Sequence, residues 1–434
     1  MHALAAVRRE IGSRDRASGR KYLREFSRAF QDYQQILAAQ ELHDRVAAAD
    51  IVLIGDYHSL AASQRYAAGL VEQLAPVRPL VLAVEAVLSR DQAVLESWWR
   101  REISEDELRR GVRFDQDWGY DWTPFFELLT AARDHGEAIY GLDRLPRDDF
   151  RRIRSRDRHA AAKISEVRER HREARILVLF GESHLAPQHL PALVKQALPQ
   201  ERVLTVLQNI DKVYWKAVAQ RAVAVAFNDE AVCVFNSTPL EKYESYRMAM
   251  AKWDGDDSPD LTPAVYNVIA SIAQTLGFRL DSPQNGTQPK YLADSFPEVV
   301  TIDENSTHNE PVRHSDLAAG HPISPDHMGA MLEESGCIYV PETNTFFIRE
   351  FRVAQVAAEA TRFLYRACTA TLRGGCSVNR KSEECLANFG SRLLCAQEMG
   401  EKQGSESEGD ALYRDFLSGR RSMAAIRRMF FERL

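Results

Sequence analysis

Between residues 45 and 240, short apolar runs of four to six residues alternate with longer amphipathic stretches. The runs are IVLI (51–54), LVLAV (80–84), AIYGL (138–142), ILVLF (176–180), VLTVL (203–207) and VCVF (232–235). Helical periodicity fills the gaps between them, as from Ser63 to Leu74 and from Thr123 to Arg133. Strands that are apolar throughout, separated by helices, predict an α/β fold with a mainly parallel sheet flanked by helices on both faces. Ahead of this block, Tyr22, Phe26, Phe30, Tyr33 and Ile36 recur at steps of three and four, which predicts one helix face within a helical segment, 1–44. Behind it, residues 241–434 read as a mostly helical C-terminal extension. Its helical stretches are 241–280, 346–372 (Phe347, Phe351, Ala354, Ala358 and Phe363 on one side), 383–399 and 411–433. A long loop rich in Asp, Ser, Pro, Asn and Gly covers 281–328, and EKQGSESEGD (401–410) reads as a solvated linker.

Composition leaves that picture intact. Hydrophobic residues at 45% and charged residues at 27% are ordinary globular values, and they exclude wholesale disorder and fibrous classes. A net charge of −6 provides no global field for nucleic acid or for an anionic membrane surface. No run approaches the roughly 18 apolar residues needed to cross a bilayer. The opening MHALAAVRREIGSRDR lacks a secretory apolar core, so the expected location is cytoplasmic. Six cysteines, five of them in the last hundred residues, include no C-x-x-C pair, and they read mainly as buried thiols of a helical region.

The chemistry lies at the ends of the apolar runs. IVLI leads into Gly55-Asp56-Tyr57-His58, LVLAV into Glu85, AIYGL into Asp143, and ILVLF into Gly181-Glu182-Ser183-His184. VLTVL leads into Gln208 and Asn209, and VCVF into Asn236. An open parallel sheet binds ligands at the carboxyl ends of its strands, so these polar groups are expected at one rim. With 22 glycines and 12 histidines in 434 positions, G-x-x-H occurs by chance about 0.6 times. Two copies, each directly after a buried-strand pattern, carry more information than the count alone. Glycine lets the chain leave the strand through positive φ or approach a neighbour closely. The histidine three residues on can then turn back over the edge, bringing His58 and His184 together with Glu85 between them.

Two histidines and a carboxylate form a metal-binding set suited to Fe, Mn, Co or Zn, with open positions for water and substrate. Bound water is then acidified enough to attack near neutral pH. Asp56 and Glu182 are candidates for ligand or general base, and Glu85 for both metal ligand and catalytic group. A His–Glu pair also activates water without metal, and the residues alone leave both mechanisms open. Asp143 reads equally as a helix cap or a site residue, and Gln208, Asn209 and Asn236 read as turn residues.

At these residues the chain resembles the ChaN-like haem-binding-uptake family, grouped with Tiki and TraB proteins and more distantly with erythromycin esterases. The resemblance rests on GDYH (55–58), Glu85, GESH (181–184), the stretch around Trp122 and Phe126, and Arg156-Asp157-x-His159-Ala160 opening a helix. It covers about residues 45–240. It implies a parallel α/β fold with its site at the strand ends. Tiki-like members imply a metal-dependent protease built on His58, His184 and Glu85, and esterase-like members imply hydrolysis by similarly placed groups, with Asp56 where the esterases carry glutamate. ChaN-like members imply haem, with Tyr57 as a candidate axial ligand. The expected function is therefore a divalent-metal-dependent hydrolase acting on a small-molecule or peptide substrate. The alternatives are haem or iron binding without turnover, a metal-free esterase-like hydrolase, and a fold retained for protein–protein contact. The C-terminal extension of about 190 residues departs from the family pattern.

Other features read more plainly. DGDDSPD (254–260) lacks the glycine and glutamate of a calcium loop. His308, His314, His321 and His327 match no metal-ligand spacing and read as loop histidines. The basic stretch Arg151–Arg172 reads as an exposed helix. Trp98, Trp99, Trp118 and Trp122 read as core, or as an apolar wall for a flat ligand if they overhang the sheet edge.

Overall fold

A computed structural model describes residues 21–145, 153–218, 220, 222–253, 260–278, 297–302, 325–373, 379–394 and 407–430. They fall into two compact units, within Asp15–Ala249 and within Met250–Leu434.

Among the described residues of the first unit, eight strands form one sheet. They are β1 (Gln35–Leu37), β2 (Ile51–Asp56), β3 (Leu80–Leu88), β4 (Ala138–Asp143), β5 (Arg175–Gly181), β6 (Val203–Gln208), β7 (Ala224–Asn228) and β8 (Ala231–Val234). Their order is β1-β7-β8-β6-β2-β5-β3-β4. The pairs among β8, β6, β2, β5, β3 and β4 are parallel, while β7 runs antiparallel to both β8 and β1. All six apolar runs of the sequence are strands. The parallel order arises because each run is buried on both faces. Val52, Ile54, Leu82, Val84, Leu177 and Leu179 pack in one core with Val71 of the helix Ala61–Leu74 and Leu128 of the helix Trp122–His135. The alternate residues Ile51, Leu53, Val81, Ala83, Ile176 and Val178 are equally buried on the other face. Side chains alternate faces along a strand, so apolar residues at every position require cover on both sides.

Three sequence expectations are corrected. The amino-terminal helix ends at Ala29, and Gln35–Leu37 is an edge strand, so Tyr33 and Ile36 do not share a helix face with Tyr22, Phe26 and Phe30. Phe347 belongs to a strand, whereas Phe351 precedes the helix Val353–Arg373. The stretch around Arg151–Arg172 is not simply an exposed helix. In Ile153–Arg170 the buried residues are Ile153, Arg156, Asp157, Ala160, Ala161, Ile164, Val167 and Arg168, which is one helical stripe with charges set into it.

The second unit is mostly helical. Long helices at Val353–Arg373 and Arg380–Leu394 accompany a small sheet, β9 (Glu298–Thr301), β10 (Cys337–Val340) and β11 (Thr345–Ile348), in the order β10-β11-β9. Cys233, Cys337 and Cys368 are buried free thiols and Cys385 is half-buried; Cys233 and Cys337 lie in strands rather than helices. Cys376, Cys395, His308, His314, His321, the side chain of His327 and most of the 254–260 and 281–328 segments lie outside the described residues. Among the described residues, no helix is long and apolar enough to cross a membrane.

Candidate functional site

β2 and β5 are neighbours, and β3 lies on the far side of β5. Parallel register puts Asp56 level with Gly181 and Val84 level with Leu179. The two G-x-x-H turns and Glu85 therefore leave the sheet at one rim. Glu85 is not the end of its strand: β3 continues to Leu88 through a register shift after Val84, and all nine residues are buried.

The two imidazoles meet at this carboxylate. His58 Nε2 lies 3.9 Å from Glu85 Oε2, and His184 Nε2 lies 3.9 Å from Glu85 Oε1. Each ring is anchored at its other nitrogen: His58 Nδ1 lies 2.7 Å from Asp56 Oδ2, and His184 Nδ1 lies 2.5 Å from Asp157 Oδ1. An ionised carboxylate only accepts, so both rings carry the proton on Nδ1 and turn Nε2 toward Glu85. The two dyads differ in access. The His58 side chain is 23% exposed, against 6% for His184. Trp118 and Tyr120 flank the His58 ring at centroid distances of 4.4 and 5.2 Å. Of the four tryptophans considered as a wall, Trp98 and Trp122 are core and Trp99 packs against it, so only Trp118 reaches the histidine.

Glycine serves here through close approach. Neither Gly55 nor Gly181 has positive φ among the described residues. A Cβ on Gly181 would lie 3.0 Å from Glu85 Oε2 and 3.1 Å from both Cε1 and Nε2 of His58. Only a residue without a side chain lets the β5 backbone pass so near the cluster.

The group that sequence reasoning left without a role is Arg156. Its guanidinium pairs with Glu85 Oε1 and forks onto Asp143, with Nε 2.9 Å from Oδ1 and Nη2 2.7 Å from Oδ2. The Gly181 N–H donates to Glu85 Oε2 at 2.5 Å. Burial works to raise the Glu85 pKa, but Arg156 first, then both imidazoles and the Gly181 amide, hold it down at about 2. Asp143 thus anchors the arginine. Asp157, noted in the sequence only within the family pattern and given no role, accepts from Tyr22 Oη on the amino-terminal helix. The signal for both was present in the sequence: Arg156 and Asp157 sit on the apolar stripe of their helix, where charges survive only if partnered.

The remaining candidates go elsewhere. Glu182 does not join the histidines; its Oε2 accepts from Lys242 Nζ at 2.8 Å. That ammonium also lies 4.7 Å from the centre of the Tyr57 ring, which contacts Tyr243 and Tyr246 edge-on. Burial, then Tyr243, Glu182 and Tyr246, push the Tyr57 phenol well above its ordinary pKa. Asp56 orients His58 and accepts from Gln64 Nε2 at 2.5 Å. Gln208 and Asn236 bond each other, and Gln208 also donates to Gly55 O at 2.8 Å. Asn209 adopts φ +52 and bonds Asn236, so this trio ties strand ends together.

Among the described residues, the carboxylates of Asp56, Glu85, Asp143 and Asp157 are buried at this rim, with the Arg156 guanidinium against Glu85 and Asp143. For His58, burial opposes the imidazolium. Asp56, by charge and hydrogen bond, and then Glu85 outweigh that, and its pKa is raised above 6.5 despite Arg156. Among the described residues, no group of three or more His, Cys, Asp or Glu is arranged to hold a metal ion. The donors explain why a divalent ion fits poorly. Each oxygen of the shared carboxylate already accepts a hydrogen bond, one of them from a resident cation that would repel a second.

Residues 42–176 match the family model described as haem-binding uptake, Tiki superfamily, ChaN. Among solved structures, ChaN of Campylobacter jejuni with cofacially bound haem is similar at 15% identity over 40% of this chain and 86% of that one, with a TM-score of 0.30. The type III effector HopBA1 is similar at 15% identity over 47% of this chain and 96% of that one, with a TM-score of 0.36. Comparison with curated proteins gave no match.

Proposed function

With residues 42–176 carrying the ChaN/Tiki-superfamily pattern, we propose that the strand-end rim is a hydrolytic site in which His58 is the general base. The observation that supports this is the Asp56–His58 dyad: a part-exposed imidazole fixed at Nδ1, 2.7 Å from a buried carboxylate, which leaves Nε2, 3.9 Å from Glu85, as its basic nitrogen. In the reaction, His58 Nε2 takes a proton from water as the water oxygen bonds to an acyl carbon. The same proton then passes to the departing alcohol or amine as the acyl bond breaks. The imidazolium formed in between is stabilised by Asp56 and Glu85, and Arg156 with the Gly181 N–H keeps Glu85 ionised and fixed. This reading takes the metal-free of the two mechanisms; the divalent-metal centre at His58, His184 and Glu85 is the other, and the EDTA arm below separates them.

The test is hydrolysis of a panel of nitrophenyl esters and short peptides, with and without EDTA. His58→Ala is expected to lower kcat by roughly 10²–10⁴-fold without unfolding the chain. Activity abolished by EDTA and restored by a divalent ion would return the site to the metal reading. Equal turnover by His58→Ala and the unmodified protein would remove His58 as base.

A second reading, haem binding without turnover, is favoured by the aromatic flank of His58. Trp118 and Tyr120 border the accessible imidazole, and a carboxylate behind a ligating histidine is the usual supporting arrangement. This reading takes His58 as the donor to haem iron, with Tyr57 as the other candidate. Haem titration is expected to give a Soret band that His58→Ala abolishes and Tyr57→Phe retains; the reverse dependence would restore Tyr57.

A further inference from the structure

The more deeply buried dyad has a third member. The Tyr22 hydroxyl donates to Asp157 Oδ2 while His184 Nδ1 holds Oδ1, so both oxygens of this carboxylate are engaged. Tyr22 lies on the helix Lys21–Ala29, 135 positions before Asp157. Its ring stacks on His189 at 3.6 Å, with 13° between planes, and meets His184 edge-on at 5.8 Å. His189 is itself fixed, with Nδ1 3.1 Å from Ser183 O and Nε2 3.0 Å from Glu25 on that same helix. The helix therefore grips the turn 182–185 twice, once through Glu25 and His189 and once through Tyr22 and Asp157. Farther along, Phe26 and Phe30 seat it, Phe30 against Phe227 at 4.8 Å.

We propose that Tyr22 is a positioning residue for His184: by occupying Asp157 Oδ2 it fixes the carboxylate plane, and with it the Nδ1-protonated tautomer that turns Nε2 to Glu85. A carboxylate held at one oxygen rotates about its terminal torsion, which is broad and two-fold. Held at both, it presents Oδ1 to one place only. Burial, and then the charge of Asp157, raise the Tyr22 pKa, so the hydroxyl remains a donor. Tyr22 touches neither substrate nor the accessible imidazole; it acts through Asp157.

The inference extends the hydrolytic reading, but its test does not depend on turnover. In full-length protein labelled with ¹⁵N-histidine, long-range proton–nitrogen correlation spectra report which nitrogen of each ring carries the proton. Tyr22→Phe retains the ring stack and removes only the donor. The expected result is that the His184 resonances move from a single Nδ1–H tautomer toward a mixture while those of His58 stay in place. If esters are hydrolysed, kcat falls about tenfold with KM within about twofold. Glu25→Gln loosens the same helix without touching Asp157 and is expected to leave the His184 signals unchanged. Unchanged His184 signals in Tyr22→Phe would overturn the proposal. Equal changes in both variants would overturn it too, since the helix would then act merely by being docked. Should no substrate be turned over, the hydrolytic reading fails and the spectra still decide the role of Tyr22.

Discussion

The two rims of the large sheet both bury arginine, and they treat it differently. At the amino ends of the strands, Arg175 donates to the carbonyls of Ala47 and Ala49, and Arg168 donates to those of Asp50, His171, Arg172 and Ala174. Arg168 also pairs with the half-exposed Glu201. These acceptors are mostly neutral, and the guanidinium serves as a clip that fastens chain segments below the sheet. At the carboxyl ends, Arg156 meets two buried carboxylates, and they in turn stand among two imidazoles. The same side chain ties backbone together at one rim and balances charge at the other. Burial alone therefore does not distinguish the two kinds of arginine; the nature of their acceptors does.

Arg156→Ala breaks the carboxyl rim and is expected to have the largest effect. Leaving Glu85 and Asp143 buried without a cation is expected to cost about 3–5 kcal/mol in chemical denaturation and to abolish hydrolysis. His58→Ala separates chemistry from folding: turnover falls by roughly 10²–10⁴-fold while the denaturation midpoint barely moves. Gly181→Ala forces a methyl group against Glu85 and the His58 ring, and is expected to cost about 1–3 kcal/mol with most activity lost. Arg175→Met, at the other rim, is expected to cost a similar 1–3 kcal/mol and to leave kcat unaltered. Parallel loss of kcat in Arg175→Met would dissolve the contrast between the rims.

Acidity gives the smallest and most graded probe. A general base must be deprotonated, so the hydrolytic rate is expected to climb with pH through a midpoint above 6.5, set by the raised His58. The same raised pKa contributes stability that is complete below 6.5 and is lost as pH rises through the folded-state value. Glu85 has the opposite sense. Its contribution is complete above the ordinary 4.5 and disappears as pH falls through about 2. Urea titrations across pH, compared between the unmodified protein, His58→Ala and Glu85→Gln, check both slopes.

The carboxyl rim was legible where its residues succeed strands apolar at every position. Ile51–Ile54 and Ile176–Phe180 can only be buried parallel strands, and the residues just beyond their carboxyl ends must emerge together. The antiparallel edge was not legible, because Gln35–Leu37 is three residues long and Ala224–Asn228 offers mainly small side chains. Glu182 was misplaced for another reason. Its partner, Lys242, approaches from a helix 60 positions away, and nothing local in GESH reveals that ammonium. The roles of Arg156 and Asp157 were hidden by their basic surroundings, since the exposed charges of the helix Ile153–Arg170 mask the three, with Arg168, that point inward. A search for charges at the three- and four-residue spacing of Ala160, Ile164 and Val167 isolates them.

The tie between Tyr22 and Asp157 also sets a clock on biosynthesis. At roughly 5–20 residues per second, the ribosome needs on the order of ten seconds to reach the aspartate after releasing the tyrosine. During that interval the first helix has no carboxylate to grip, and the Asp157–His184 pair does not yet exist. That pair is complete only once the turn after the fifth strand has emerged.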